Sequence, residues 1–164
     1  RFKYFLSQEL NVPVKNISSL VLGGHGDTMV PMPGLTTVNG KSLEKLINKD
    51  KLDSIIERTR KGGGEIIKFL EKGSAFYAPA ASGIEMAESY LKDLKKTLPC
   101  AAYLSGQYGI KNLYAGVPVI IGKNGVEKVV ELKLSNEEKK QFDKSIRAVQ
   151  ELFDIARKID SSLI

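Results

Sequence analysis

Three stretches of the sequence predict an α+β fold, with antiparallel sheet strands and long packed helices. From Leu52 to Leu70 apolar residues recur at three- and four-residue steps, the spacing of one helix face. Ser135-Asn-Glu-Glu138 forms a capping box ahead of Phe142, Ile146, Val149, Phe153 and Ala156, which share one side of a final helix. Between these, two apolar runs flank Gly122-Lys-Asn-Gly125, and Asn-Gly between such runs is a strong hairpin signal.

The elements follow in order. Phe2, Phe5, Leu6 and Leu10 stand near helical spacing, and Asn11-Val-Pro13 ends that helix. Ile17 to Leu22 reads as a short buried strand. Met29 to Val38 reads as extended chain broken at Pro31 and Pro33, Asn39-Gly40 as a turn, and Ser42 to Ile47 as a short helix. The long helix is expected to start after Asp50 as N-cap and to continue through Gly62-Gly-Gly64. Three glycines there cost about 1 kcal/mol each relative to alanine. The periodicity survives them, so close packing against the missing side chains is favoured over a helix break. Gly73 is expected to stop this helix and Pro79 to start the next, with Ile84, Ala87, Leu91 and Leu94 as its apolar stripe. Leu98–Leu104, Asn112–Ile121 and Val126–Leu134 read as three strands, the last with one wet face because Glu131 and Lys133 alternate with leucines.

Composition narrows the function classes. At 164 residues the chain is one domain's worth, with 42% hydrophobic and 27% charged residues, ordinary for a soluble globular domain. The net charge of +6 is scattered among acidic residues, as in Glu137-Glu-Lys-Lys140, so no nucleic-acid footprint is expected. A single cysteine, Cys100, excludes an internal disulfide and reads as a buried thiol. No run approaches the roughly 20 apolar residues that cross a bilayer. These features point to a cytoplasmic or similarly reducing compartment, with no membrane partner and no metal site. A strand followed by G-x-G-x-x-G is missing, and Gly62-Gly-Gly64 does not replace it because helical periodicity precedes it. The chain opens on Arg1 inside a helical pattern, without Met, and reads as a fragment.

The candidate chemistry centres on Val21-Leu-Gly-Gly-His-Gly-Asp-Thr-Met-Val-Pro31, which holds the only histidine, His25. A strand ending in glycines sets the next side chain at an edge that a ligand can approach. Imidazole is the side chain best suited to exchanging protons near neutral pH. By spacing alone, a lone histidine is more often a loop or core residue than a catalyst. The wording of Gly23-Gly-His-Gly-Asp-Thr-Met-Val-Pro31, however, resembles the active-site histidine segment of the lactate/malate dehydrogenase superfamily. The resemblance continues in order through Arg58-Thr-Arg-Lys-Gly-Gly-Gly-Glu-Ile66, Lys72-Gly-Ser-Ala-Phe-Tyr-Ala-Pro-Ala-Ala-Ser82, Leu98-Pro-Cys-Ala-Ala102 and Tyr114-Ala-Gly-Val-Pro118. It looks closest to the bacterial, lactate-dehydrogenase-like malate dehydrogenases.

The resemblance implies that residues 1–164 form the C-terminal substrate-binding and catalytic domain, with the NAD-binding Rossmann domain outside this chain. It implies a reaction of the tricarboxylic acid cycle, the interconversion of malate and oxaloacetate with NAD. His25 would be the proton carrier and Arg1 the bidentate clamp on the substrate carboxylate, a geometry that lysine cannot copy. Alone, Arg1 would read as a surface arginine at a helix start. Ala75 would border the substrate and Pro79 the cofactor. The aspartate that orients the histidine would lie upstream of residue 1, and Asp27 is read as structural, through turn hydrogen bonding. Lactate dehydrogenases of the superfamily usually carry glutamate before the histidine and threonine where Ala75 stands, which favours malate over the lactate alternative. A non-catalytic binding or oligomerisation module of the same fold is the reading of another class. The complete enzyme is expected to be a homo-oligomer, and the isolated chain to be inactive.

Overall fold

The computed structural model describes residues 1–160, 162 and 163. Helix α1 (Phe2–Leu10) ends at Asn11, whose left-handed backbone (φ 50, ψ 49) turns the chain as expected. Four two-residue strands follow, β1 (Ile17–Ser18), β2 (Val21–Leu22), β3 (Val30–Pro31) and β4 (Thr37–Val38), and then β5 (Lys41–Ser42). The single strand expected over Ile17–Leu22 is therefore two strands. Ile17–Ser18 pairs with Thr37–Val38, whereas Val21–Leu22 pairs with Val30–Pro31, so the chain changes sheets at Ser19-Leu20. The extended run Met29–Val38 breaks at Pro33 as expected, in a 3₁₀ turn over Pro33–Leu35, but not at Pro31, which pairs within β3, and the helix expected over Ser42–Ile47 is only a 3₁₀ turn, Leu43–Lys45. Asn39 and Gly40 both take positive φ (50° and 76°) in the tight turn joining β4 to β5.

Helix α2 (Lys49–Leu70) runs unbroken through the three glycines. Its N-cap is Asn48, which accepts a hydrogen bond from the Lys51 amide, and not Asp50, which lies inside the first turn. It ends at Glu71 with φ 59, two residues before Gly73. Helix α3 (Tyr77–Leu91) carries Pro79 in its first turn. Its expected apolar stripe does not face the body of the chain: Ile84 is 68% and Leu91 77% exposed, and Leu94 lies beyond the helix. The buried residue of α3 is Ser89, whose hydroxyl donates to the Ile121 carbonyl at 2.7 Å and accepts from the Lys96 amide at 3.2 Å. One hydroxyl thus docks α3 on the sheet and satisfies two backbone groups.

The main sheet has the order β6 (Lys96–Ser105), β7 (Lys111–Gly122), β8 (Gly125–Val129), all antiparallel. The expected hairpin closes at Gly122 and Gly125. Of its Asn-Gly pair only Gly125 has positive φ (86°), and the register shifts between Ile120 and Ile121, so the turn ends in a bulge. The third strand stops at Val129, five residues short of the expected Leu134. Tyr108 explains part of this difference, because its hydroxyl donates to the Val130 carbonyl and accepts from the Leu132 amide, binding backbone groups a strand would have used. Cys100 is half-buried, not buried, and desolvation pushes its thiol pKa up.

Helix α4 (Asn136–Ile159) begins with the predicted capping box, Ser135 and Glu138 each bonding the other's backbone amide. Its Phe142 closes a core with Leu22, Val30, Met32, Leu104 and Val117. A second core joins α1 to the first half of α2 through Phe2, Leu6, Ile17, Val38, Leu52 and Ile55. The loop carrying His25 runs between β2 and β3, at the edge of the first core.

Candidate active site

Three anchors fix the loop from Gly23 to Met29. Gly23 forms a pair of backbone hydrogen bonds with Gly116 of β7, each 2.8 Å long. One residue on, the Gly24 amide donates to the Ser145 hydroxyl of α4 at 2.8 Å. At the far end, Arg60 of α2 donates from Nε to the Met29 carbonyl at 3.1 Å. The side chain of His25 itself is exposed between these anchors.

The glycines are needed for this closeness. A Cβ on Gly24 would lie 2.9 Å from Val149 Cγ2, and one on Gly116 would lie 2.5 Å from the Gly23 carbonyl oxygen. Gly23 also has φ 85, a conformation that side chains resist. The strand-then-glycine reading therefore holds, with two contacts the sequence did not announce, Gly116 and Ser145. Ser145 could have been noticed as a polar residue on an apolar stripe, three positions after Phe142 and four before Val149. Gly116 could have been noticed as a glycine inside an expected strand, which often marks a close backbone approach.

Asp27 does not close the turn through its side chain. The turn is closed by the Met29 amide donating to the Gly26 carbonyl at 3.1 Å, and Asp27 makes no side-chain hydrogen bond among the described residues. Its carboxylate lines a cleft of about 500 Å³ together with Thr28, Glu57, Arg60, Lys61 and Lys144. There Glu57 pairs with Lys61 at 2.9 Å, which holds the exposed carboxyl below and the ammonium above its ordinary pKa, mainly through the hydrogen bond.

Arg1 meets the same stretch of α2. Its guanidinium donates from Nη1 to the Thr59 carbonyl at 3.2 Å, and its side chain crosses the helix at the glycines. A Cβ on Gly62 would sit 2.9 Å from Arg1 Cδ, and one on Gly63 would sit 3.6 Å from Nη1. The close packing expected of the glycine run is met at Gly62, which seats an arginine; Gly63 is in ordinary contact with it, and a Cβ on Gly64 would meet nothing. α2 touches both regions, holding Arg1 at Thr59–Gly63 and the end of the histidine loop, at Met29, through Arg60.

Ala75 and Pro79 are placed differently. They follow the end of α2, twelve and sixteen residues beyond Gly63 in sequence. Ala75 is half-buried, and around it Phe76 and Tyr77 are 61% and 91% exposed. No side chain caps the start of α3 there. Neither the 500 Å³ cleft nor a wider one of about 980 Å³ is lined by His25, Arg1, Ala75 or Pro79. His25, Arg1 and Pro79 are exposed and Ala75 is half-buried.

A family model described as lactate/malate dehydrogenase, alpha/beta C-terminal domain, matches residues 1–159. A malate dehydrogenase of Pelagibacter ubique is 61% identical over 99% of this chain and 52% of its own length. Among solved structures, a malate dehydrogenase from Salinibacter ruber superposes with a TM-score of 0.92 at 46% identity, covering 99% of this chain and 53% of that one. A lactate dehydrogenase from Eimeria maxima, solved with NADH and oxamate, gives 0.93 at 40% identity, covering 98% of this chain and 52% of that one. The chain spans about half the length of the curated relatives it matches.

Proposed function

Because this chain belongs to the lactate/malate dehydrogenase family, as its alpha/beta C-terminal domain, we propose that it is the catalytic half of an NAD-dependent malate dehydrogenase. The observation that carries the reading is the tethered loop, which presents an exposed His25 between three backbone anchors. A proton carrier needs this combination, a fixed backbone and an imidazole open to substrate.

In the proposed reaction, oxidation of (S)-malate to oxaloacetate removes a hydride from the hydroxyl-bearing carbon and a proton from its oxygen. When bound, the nicotinamide supplies the hydride acceptor. His25, neutral, takes the hydroxyl proton; in the reverse direction, protonated, it returns that proton to the ketone oxygen. Arg1 holds a carboxylate through a forked pair of hydrogen bonds, and its seat on Gly62 and Gly63 limits where the fork can point. Ala75 borders the substrate, and Pro79, in the uncapped first turn of α3, borders the cofactor. The exposed apolar surface at Phe76 and Tyr77 suits an uncharged aromatic ring. The described residues hold no strand followed by G-x-G-x-x-G opening a helix, so the dinucleotide's pyrophosphate is assigned to a Rossmann domain in the other half of the protein. The aspartate that orients His25 is assigned to the stretch before Arg1.

The exposed apolar residues of α3, Ile84 and Leu91, and those of α4, Leu152 and Ile159, fit burial against that other half and against further copies in a homo-oligomer. No helix of the described residues is long and apolar enough to cross a membrane. That, with one free thiol, fits a cytoplasmic enzyme serving the tricarboxylic acid cycle.

The full-length protein is expected to oxidise NADH with oxaloacetate at least tenfold more efficiently than with pyruvate, by kcat/KM. A preference for pyruvate would make it the lactate dehydrogenase of the alternative reading. No turnover with either, from a protein that still binds oxaloacetate, would leave only a binding module. Arg1→Lys in that protein is expected to lower kcat/KM for oxaloacetate by roughly two orders of magnitude while leaving NADH affinity unchanged, since only the forked pair is lost. Unchanged kinetics in that variant would remove Arg1 from the site.

A further inference from the structure

Resting on the reading of His25 as the proton carrier, we propose that Ser145 is a positioning residue that holds the histidine loop in its working geometry from the last helix of the chain. Ser145 is 1% exposed, on the inward side of α4 between Phe142 and Val149. A polar side chain at such a position needs a partner. Its partner is the amide of Gly24, the residue directly before His25, which donates to Ser145 Oγ at 2.8 Å.

The place of this bond gives it leverage. Gly24 and Gly26 flank the histidine, and glycine lets the backbone rotate more freely than any other residue. Gly26 has φ 106 and open space where a Cβ would be, so nothing packs against that side of the hinge. On the other side, the packing is tight: a Cβ on Gly23 would lie 2.8 Å from Ser145 Cβ, and one on Gly24 would lie 2.9 Å from Val149 Cγ2 of the same helix. The Gly23–Gly116 pair fixes the strand before the hinge, and Arg60 fixes Met29 after it. The Ser145 bond holds the Gly23–Gly24 peptide group on one side of His25, and the Met29 amide, by bonding the Gly26 carbonyl, holds the Gly26–Asp27 group on the other; of the two, the Ser145 bond is the one made by a side chain. Without it the imidazole would swing between two glycines, and displacements of about 1 Å at a reacting group can cost up to 10²-fold in rate.

The test uses the full-length enzyme. Ser145→Ala is expected to speed exchange of the Gly24 amide hydrogen, lower kcat roughly tenfold and leave the NADH dissociation constant within about twofold. In a His25→Asn background the same substitution should cause no further loss of turnover, because its effect passes through the histidine. A purely structural serine would lower thermal stability, leave kcat of the folded enzyme unchanged, or add its loss to that of His25→Asn; either kinetic result overturns the proposal. If the Gly24 amide of the unaltered enzyme exchanges at the unprotected rate, the tether does not exist, and that holds whether or not the alanine variant folds. Full turnover in His25→Asn alone overturns the reading of His25, and the positioning role falls with it. Failure of the Ser145 results beside an inactive His25→Asn enzyme sinks the positioning role only.

Discussion

In the full-length protein, His25→Asn is expected to lower turnover by roughly two to four orders of magnitude while leaving fold and NADH affinity nearly intact. The His25 side chain is exposed, so replacing it opens no cavity in either core. The loop is held by backbone atoms of Gly23, Gly24 and Met29, none of which the substitution touches. Asparagine can still donate and accept hydrogen bonds, but it cannot take up a proton near neutral pH. Substrate binding should therefore survive in large part, and the loss should fall on kcat. Steady-state rates with oxaloacetate, alongside a fluorescence titration of NADH, would separate the two. Near-normal turnover in a folded variant would mean that the proton is carried by another group.

The parts of this fold that are readable in the sequence are those fixed locally. The capping box at Ser135–Glu138, the left-handed stop at Asn11 and the turn at Asn39-Gly40 are short-range chemistry, and each stands where the residues place it. Continuity of α2 through Gly62–Gly64 follows from periodicity, although the reason for the glycines does not. For Gly62 that reason is Arg1, about sixty positions away, lying across the helix, whereas a Cβ on Gly64 would meet nothing. The misread elements fail for the same reason. Val130–Leu134 has the alternation of a strand, yet the Tyr108 hydroxyl, distant in sequence, takes two of its backbone groups, the Val130 carbonyl and the Leu132 amide. Ile17–Leu22 looks continuous, yet its two ends find different partners. The stripe on α3 is a true helical stripe, but periodicity says only that a face is apolar and not that this chain covers it. At the candidate site His25 was legible through its glycines, whereas its supports show in the sequence only as a glycine inside a strand, Gly116, and a polar residue on an apolar stripe, Ser145, with no sign of what they hold. They lie roughly 90 and 120 positions downstream, in a strand and a helix that each look ordinary.

Gly116→Ala in the full-length protein is expected to destabilise this domain by about 2–4 kcal/mol and to cut turnover at least tenfold. The added methyl would lie 2.5 Å from the Gly23 carbonyl oxygen, 3.4 Å from its nitrogen and 3.6 Å from its carbonyl carbon. These are backbone atoms, so no side-chain rotation relieves the clash, and β7 and the histidine loop must separate. Separation breaks both 2.8 Å hydrogen bonds between Gly23 and Gly116. Leaving the freed groups unsatisfied costs about 1–3 kcal/mol each when buried, which sets the scale of the estimate. Gly23 cannot absorb the shift easily, because its other side packs against Ser145, and moving it carries Gly24 away from its tether. Stability and turnover should therefore fall together, unlike in His25→Asn, where turnover alone falls. Thermal melting and oxaloacetate kinetics on the two variants side by side would show the contrast. A Gly116→Ala enzyme with unchanged melting and full activity would mean that the loop does not rest on β7 in the working protein.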